Sequence, residues 1–453
     1  MAARCVKQWI RGVVAIATIA LLPGCQASSP LFADQPLQAG ETLKIGALLP
    51  ESGPYSPVSL PIVNALLLMR DTVNACGGVN QAPVSLAFYD HEVNRQTEVA
   101  GIKYLVNQAG VHAIVAALSE PVSSDVLAIA LDRNVSVISP TATTTLHKRH
   151  ASPEGWAQLD FTEVQQARAL AKLAVSQGWE RANLLISDTD KGQRFAQTFI
   201  QIFESRGGTV VNGDAPVRAP SDPPTDAERS RPRLSLNPSP ESEQPASPSS
   251  EDLSSLLRDV DVLVADLDGR RGYDLLQTAI EQRQAQGQGQ LPILLSHNVA
   301  LTAFGEGRWQ RINPSQPYVF GGAMGLMPAV NTDILQALKA RWQGTEALQW
   351  GEYAPQAWDA AALIVLAAEA AGQNGRIGIR TNFKQVANPS GVRVTQVCEG
   401  LAHLRRGVMI NYQGASGTVD LGTNGQLAVT SQYRRWQILD SGQIRWGDST
   451  TLE

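Results

Sequence analysis

The chain predicts an α/β fold: two doubly wound α/β lobes in tandem. Three observations predict it. Short apolar runs without period-2 alternation, such as LKIGALLP at 43–50, read as parallel strands buried on both faces. These runs alternate with amphipathic helical stretches in a βαβ rhythm, and the rhythm restarts near residue 160. The length of 453 residues exceeds what one ordinary core serves, so a second lobe is expected.

In the first series, LKIGALLP is followed by a helix over 60–74, where Val63, Leu66, Leu67, Met69 and Val73 form an apolar side, and the glycines of ACGGVN suit its C-terminus. VSLAFYD then reads as a strand, 96–108 as a helix, AIVAAL as a strand, 123–132 as a helix and VSVIS as a strand. The second series gives a helix over 163–176, the strand ANLLIS, a helix over 193–205 and the strand GTVVN. It resumes with VDVLVAD, a helix over 273–284 and LPILLS. Further on, YVFGG reads as a strand, and 331–343 and 353–371 read as helices. The end of the chain alternates around Asn424-Gly425, which predicts a β-hairpin there. Residues 214–252 are dense in Pro, Ser, Asp, Glu and Arg and almost free of apolar side chains. They read as a disordered surface insertion in the second lobe.

The first 24 residues carry Arg4, Lys7 and Arg11 ahead of the apolar run GVVAIATIALL at 12–22. That run is shorter than the roughly 20 residues of a membrane span and reads as a signal peptide. It ends in LLPGC, which resembles a bacterial lipobox with Cys25 as the lipidated first residue of the mature protein, despite a proline just before the small residue. A polar linker over 25–42 follows. Export and lipid tethering at the periplasmic face of a bacterial membrane are therefore expected. Cys76 and Cys398 remain; an oxidising compartment allows one bridge between them, and two unpaired thiols are the alternative, since sequence does not fix their geometry.

Net charge of −5 without a basic block gives no footprint for nucleic acid. Phosphate-loop, dinucleotide, zinc-protease and nucleophile-elbow patterns are missing, and six scattered histidines give no metal spacing, so neither catalysis nor a cofactor is expected. What remains are hydroxyl-rich strand ends. Ligands of open α/β sheets bind beyond the carboxyl ends of the strands, which singles out PESGPYS, SEPVSS and SPTATTT. Each loop has a plainer reading as helix capping by Ser and Thr.

The pieces LKIGALLPESGPY, NACGGVN, YD, VISPTAT, YAPQAWDAA and INYQGASGTVDLGTNG occur in the order seen in the branched-chain amino acid (Leu/Ile/Val) type of periplasmic substrate-binding protein. The resemblance runs from about residue 43 to the C-terminus, interrupted by the insertion. It implies two lobes joined by three crossover segments, placed at 43–159 plus about 323–410 and at 160–322 plus about 411–453. It also implies a monomer that closes on an amino-acid-like ligand and delivers it to an ABC permease. By the same resemblance Thr141, Ala142 and Thr143 hold the ligand's carboxylate or ammonium, Ser119 matches one member of a serine pair with Glu120 in place of the other, and Tyr55 lines the side-chain pocket. The second lobe departs from the pattern. Lys191 stands before Gly192 where a tyrosine is common, and His297 and Asn298 stand where a carboxylate is common. An acid for the ligand's ammonium then comes from Glu120, Asp266 or Asp268. Glu120 and Lys191 are expected to face each other across the cleft, with a solvated Lys191 as the plainer alternative. A scaffold that activates cell-wall synthases, or a receptor-linked sensor, shares the same architecture.

Overall fold

The computed structural model describes residues 41–52, 56–92, 95–118, 124–142, 154–220, 248–267, 269–296, 318–329, 353–428 and 432–452, with isolated helical positions at 333, 336 and 340. Most of the expected helix over 331–343, the signal segment and most of the expected insertion lie outside them.

The first sheet is wholly parallel, in the order β2-β1-β3-β4-β5. Its strands are β1 (Leu43–Leu49), β2 (Val84–Asp90), β3 (Ala113–Ala116), β4 (Ser136–Ser139) and β5 (Trp156–Gln158). β3 and β4 are buried at every position, as a sheet covered on both faces requires. The helices α1 (Ser56–Ala75), α2 (Arg95–Asn107) and α3 (Ser124–Leu131) complete the βαβ units. The expected glycine terminus of α1 is observed: Gly77 and Gly78 take positive φ, and the Gly78 amide donates to the Val73 carbonyl at 2.9 Å.

The second sheet has eight strands in the order β16-β15-β11-β10-β9-β6-β7, with β8 also paired to β6. Its strands are β6 (Arg181–Ser187), β7 (Thr209–Val210), β8 (Val217–Ala219), β9 (Val262–Asp266), β10 (Ile293–Leu295), β11 (Met324–Pro328), β15 (Gln432–Ile438) and β16 (Ile444–Thr451). The helix α4 (Glu163–Ser176) precedes β6, and α5 (Asp190–Ser205), α6 (Ser250–Leu256) and α7 (Gly269–Ala285) follow β6, β8 and β9. α4 is fixed at its start by a capping box between Thr162 and Gln165. Buried Glu163 receives the Arg194 Nε–H at 2.6 Å and so ties α4 to α5.

The remaining elements lie beside the first sheet: α8 (Ala354–Ala370), α9 (Arg376–Ala387), β12 (Val392–Val394), α10 (Val397–Arg405), β13 (Ile410–Gly414) and β14 (Gly417–Thr418). Sixteen of the seventeen residues in α8 are buried, which makes it a core helix without a polar face. Cys76 at the end of α1 and Cys398 in α10 form a disulfide with Cα atoms 6.0 Å apart. Arg405 reinforces that junction, donating to the Cys76 and Gly78 carbonyls and to Glu369.

Several expectations are corrected. YVFGG is a turn, and the strand begins at Met324. Because β11 pairs with β10 and β15, the stretch 324–328, expected in the first lobe, belongs to the second sheet, while β13, expected to straddle the break near 411, packs with α8 and pairs with β14. The expected insertion is narrower than 214–252, since β8 and the start of α6 are ordered elements within it. The long C-terminal hairpin turns at Asp440–Gly442, whereas Asn424-Gly425 closes only a small loop bridged by Leu421 and Leu427.

Three connections run between the sheets, as the resemblance implied: one from β5 into α4, one beyond β11, and one between β14 and β15. The first and the third touch. The Gln158 amide donates to the Gly425 carbonyl at 2.9 Å, and the Gln165 side chain donates to the Leu427 carbonyl at 2.9 Å. Asp359 of α8 governs the third connection. Its buried carboxylate accepts from Tyr412 Oη (2.8 Å), the Ala415 amide (2.8 Å), the Ser416 amide (2.7 Å) and Ser416 Oγ (2.6 Å).

Candidate ligand-binding cleft

The site is sought where parallel strands end at their carboxyl edges. In the first sheet, β4 ends in Ser139-Pro140-Thr141-Ala142. Proline stops the ladder, and the Ser139 hydroxyl takes over as acceptor from the Ala142 amide at 3.0 Å and, more loosely, the Thr141 amide at 3.4 Å. Gln158 of β5 completes the turn by donating to the Ala142 carbonyl at 3.0 Å. Ala142 is thus fully buried with its backbone engaged inside the turn, and Thr141 is the half-buried residue at the edge. Of the three residues expected here, Thr143 lies outside the described residues.

β1 ends in Pro50-Glu51-Ser52. Asp90 at the end of neighbouring β2 organises this loop, accepting the Glu51 amide at 3.0 Å and the Glu92 amide at 3.0 Å. Burial acts to raise the Asp90 pKa, but hydrogen bonds from the Ser52 hydroxyl and from the Glu92, Ser52 and Glu51 amides outweigh it and hold the carboxyl below its ordinary range. Burial, and then the charge of Asp90, push the Glu51 carboxyl upward. Tyr55, Ser119 and Glu120 lie outside the described residues, so the expected Glu120–Lys191 pair has no geometry here.

In the second sheet, β6 ends at Ser187 and leads through Asp188 and Thr189 into α5. Thr189 caps the helix, its Oγ1 accepting the Gly192 amide at 3.1 Å. A Cβ at Gly192 would lie 2.3 Å from the Ser187 carbonyl oxygen, so glycine lets the helix start press against the strand end. Lys191 sits half-buried in that first turn. Asp266 is the last residue of β9, only 1% exposed and in register with Ile186 on β6. Ser296 follows β10 and is fully buried, its hydroxyl without a hydrogen-bond partner. His297, Asn298 and Asp268 lie outside the described residues. The second-sheet edge therefore brings Ser187, Lys191, Asp266 and Ser296 to neighbouring strand ends.

Ser139, Asp90 and Ser296 were not singled out from sequence. YD was visible as a motif piece, but a single acid after a strand carries no signal for the loop it holds.

Comparison with known proteins bears on the fold. Residues 42–228 match the family model described as periplasmic binding protein. The leucine-binding protein LivK from Thermotoga maritima superposes with a TM-score of 0.60 at 16% identity, over 90% of this chain and 99% of its own. This chain carries the periplasmic-binding-protein fold. LivJ from Streptococcus pneumoniae, solved with isoleucine, gives a TM-score of 0.62 at 15% identity, over 91% and 100% of the two chains. A solute-binding protein from R. palustris, solved with benzoate, gives 0.61 at 16% identity, over 91% and 97%. No match was found among curated proteins. The matched family and these structural relatives are substrate-binding proteins, not enzymes. Among the described residues no group of side chains is placed to hold a metal ion, and no helix is long and apolar enough to cross a membrane.

Proposed function

We propose that the chain is an exported solute-binding protein of the ABC-transporter type, which captures a small carboxylate-bearing solute between its lobes and presents it to a permease. The observation that carries this reading is the pair of polar strand ends: the Ser139–Ala142 turn on the first sheet and buried Asp266 on the second, in lobes whose first and third connections touch. Thr141 and the groups that follow it would take the carboxylate, and Asp266 would take an ammonium. Relatives of this fold have been solved with isoleucine, leucine and benzoate, which supports amino acids and aromatic acids as the classes to examine first. A charge-assisted hydrogen bond contributes roughly 1.5–3 kcal/mol, so a few of them with closure supply the ~8 kcal/mol of a micromolar site. Only contacts to both lobes favour the closed form, so closure follows as a population shift.

The disulfide supports an oxidising compartment, and Cys25 is proposed as the lipid-bearing residue of a membrane-tethered monomer. A thermal-shift screen across branched, polar and aromatic amino acids and carboxylic acids, followed by titration calorimetry of the hits, tests the reading. A saturable rise in melting temperature supports it. No binding across the panel, together with purification of a non-permease partner, favours the scaffold alternative instead.

A further inference from the structure

The geometry points to His91 as the positioning residue of the loop that leaves β3, a role parallel to that of Asp90 on the loop that leaves β1. Three strand ends meet here, in the sheet order β2-β1-β3. The His91 amide donates to the Leu49 carbonyl at 3.1 Å, and the Ala117 amide donates to the Leu48 carbonyl at 3.0 Å. β1 thus sits between two loops, each tied by an amide to a β1 carbonyl. The imidazole closes the gap: Nε2 lies 2.7 Å from the Ala117 carbonyl oxygen. A carbonyl only accepts, so Nε2 carries the proton.

This ring is 1% exposed. Glu98 of α2, itself buried, places Oε1 3.7 Å from Nδ1, and Thr97 Oγ1 donates to the His91 carbonyl. Burial lowers the His91 pKa, against the raising effects of Glu98, the Ala117 carbonyl and Asp90. A buried imidazole aimed at one carbonyl is costly to keep in a core unless that bond is used. Ala117 and Leu118 are the last described residues before the Ser119–Glu120 segment. Adjacent residues Asp90 and His91 therefore set the exits of two loops at the cleft edge, one through Glu51 and one through Ala117. The ligand half of this inference rests on the solute-binding reading; the loop half does not.

Hydrogen–deuterium exchange on the full chain decides the loop half without any ligand. His91→Ala is expected to speed exchange at least tenfold in the peptide carrying Ala117 and Leu118, leaving β4 and β6 peptides unchanged. His91→Gln, whose amide nitrogen reaches the position of Nε2, is expected to keep wild-type protection. Calorimetry with a solute that binds wild type, well below the melting temperature, is expected to show about a tenfold weaker Kd for His91→Ala and recovery in His91→Gln. If His91→Ala does not fold, His91→Asn, whose amide stops short of Ala117, takes its place against His91→Gln. Unchanged exchange at Ala117–Leu118, or loss spread evenly over the sheet, overturns the inference. Absence of any solute for wild type overturns the binding reading alone, and a local exchange effect with unaltered affinity overturns the ligand half.

Discussion

Asp359 sets two opposing effects against each other. Four hydrogen bonds stabilise its ionised form, while complete burial disfavours it. Burial wins, and the carboxyl is pushed up from 3.8 to about 6. The folded state thus holds this proton more tightly than the unfolded chain. Stability from this group is fully present below about pH 4, is lost as pH rises through about 6, and stays lost above that. A shift of about two units corresponds to about 3 kcal/mol between the two plateaus. The test compares wild type with Asp359→Asn, which cannot titrate, by denaturant unfolding from pH 4 to pH 7.5. Asn retains an acceptor for two of the four donors and presents an amine to the Ser416 amide and hydroxyl, so the variant is expected to be less stable at every pH. The difference between the two proteins should widen by about 3 kcal/mol toward acid. A difference that stays constant, or narrows toward acid, would refute the reasoning, because it would mean that the hydrogen bonds outweigh burial.

Other outcomes follow from the same structure. Cys398→Ser opens the bridge to Cys76 and should cost about 2–4 kcal/mol, or about 2–5 °C in Tm for a chain of this size; reductant should lower wild type equally and leave the variant unmoved. Gly192→Ala drives a Cβ toward the Ser187 carbonyl and should cost about 1–3 kcal/mol by chemical unfolding, while the same change at exposed Gly289, with open space around it, should cost far less. On the proposed function, Asp266→Asn should weaken binding of an amino acid about 10- to 100-fold by calorimetry and leave a solute with only a carboxylate nearly unaffected; equal loss for both would remove Asp266 from the ammonium role.

Much of the fold was legible because burial on both faces leaves a plain mark. β1, β6 and β9 read as apolar runs, and α4 was placed at its observed bounds. The misplaced elements depend on partners far away in sequence. MGLMP looks unlike a strand, with a glycine inside and a proline at its end, yet Trp436 of β15 packs where a Gly325 side chain would stand. Asn424-Gly425 is a strong hairpin signal, but its loop closes against β5 through the Gln158 amide, and the long hairpin forms later around Gly442. The pairing of Cys76 with Cys398 spans 322 residues, a distance over which sequence carries no geometry. In the candidate site, hydroxyl-rich VISPTAT marked the end of β4, but the division of labour within it was not readable. Ser139, inside the strand, builds the turn, and Ala142 is its buried product.

The central claim is capture of a small solute between two lobes, and small-angle scattering with and without a thermal-shift hit tests it most directly. A solute that binds is expected to reduce the radius of gyration of the wild-type protein, with a smaller or absent change in Asp266→Asn at the same concentration. Binding without any compaction, or the same compaction in a variant that has lost the second-lobe acid, would contradict it.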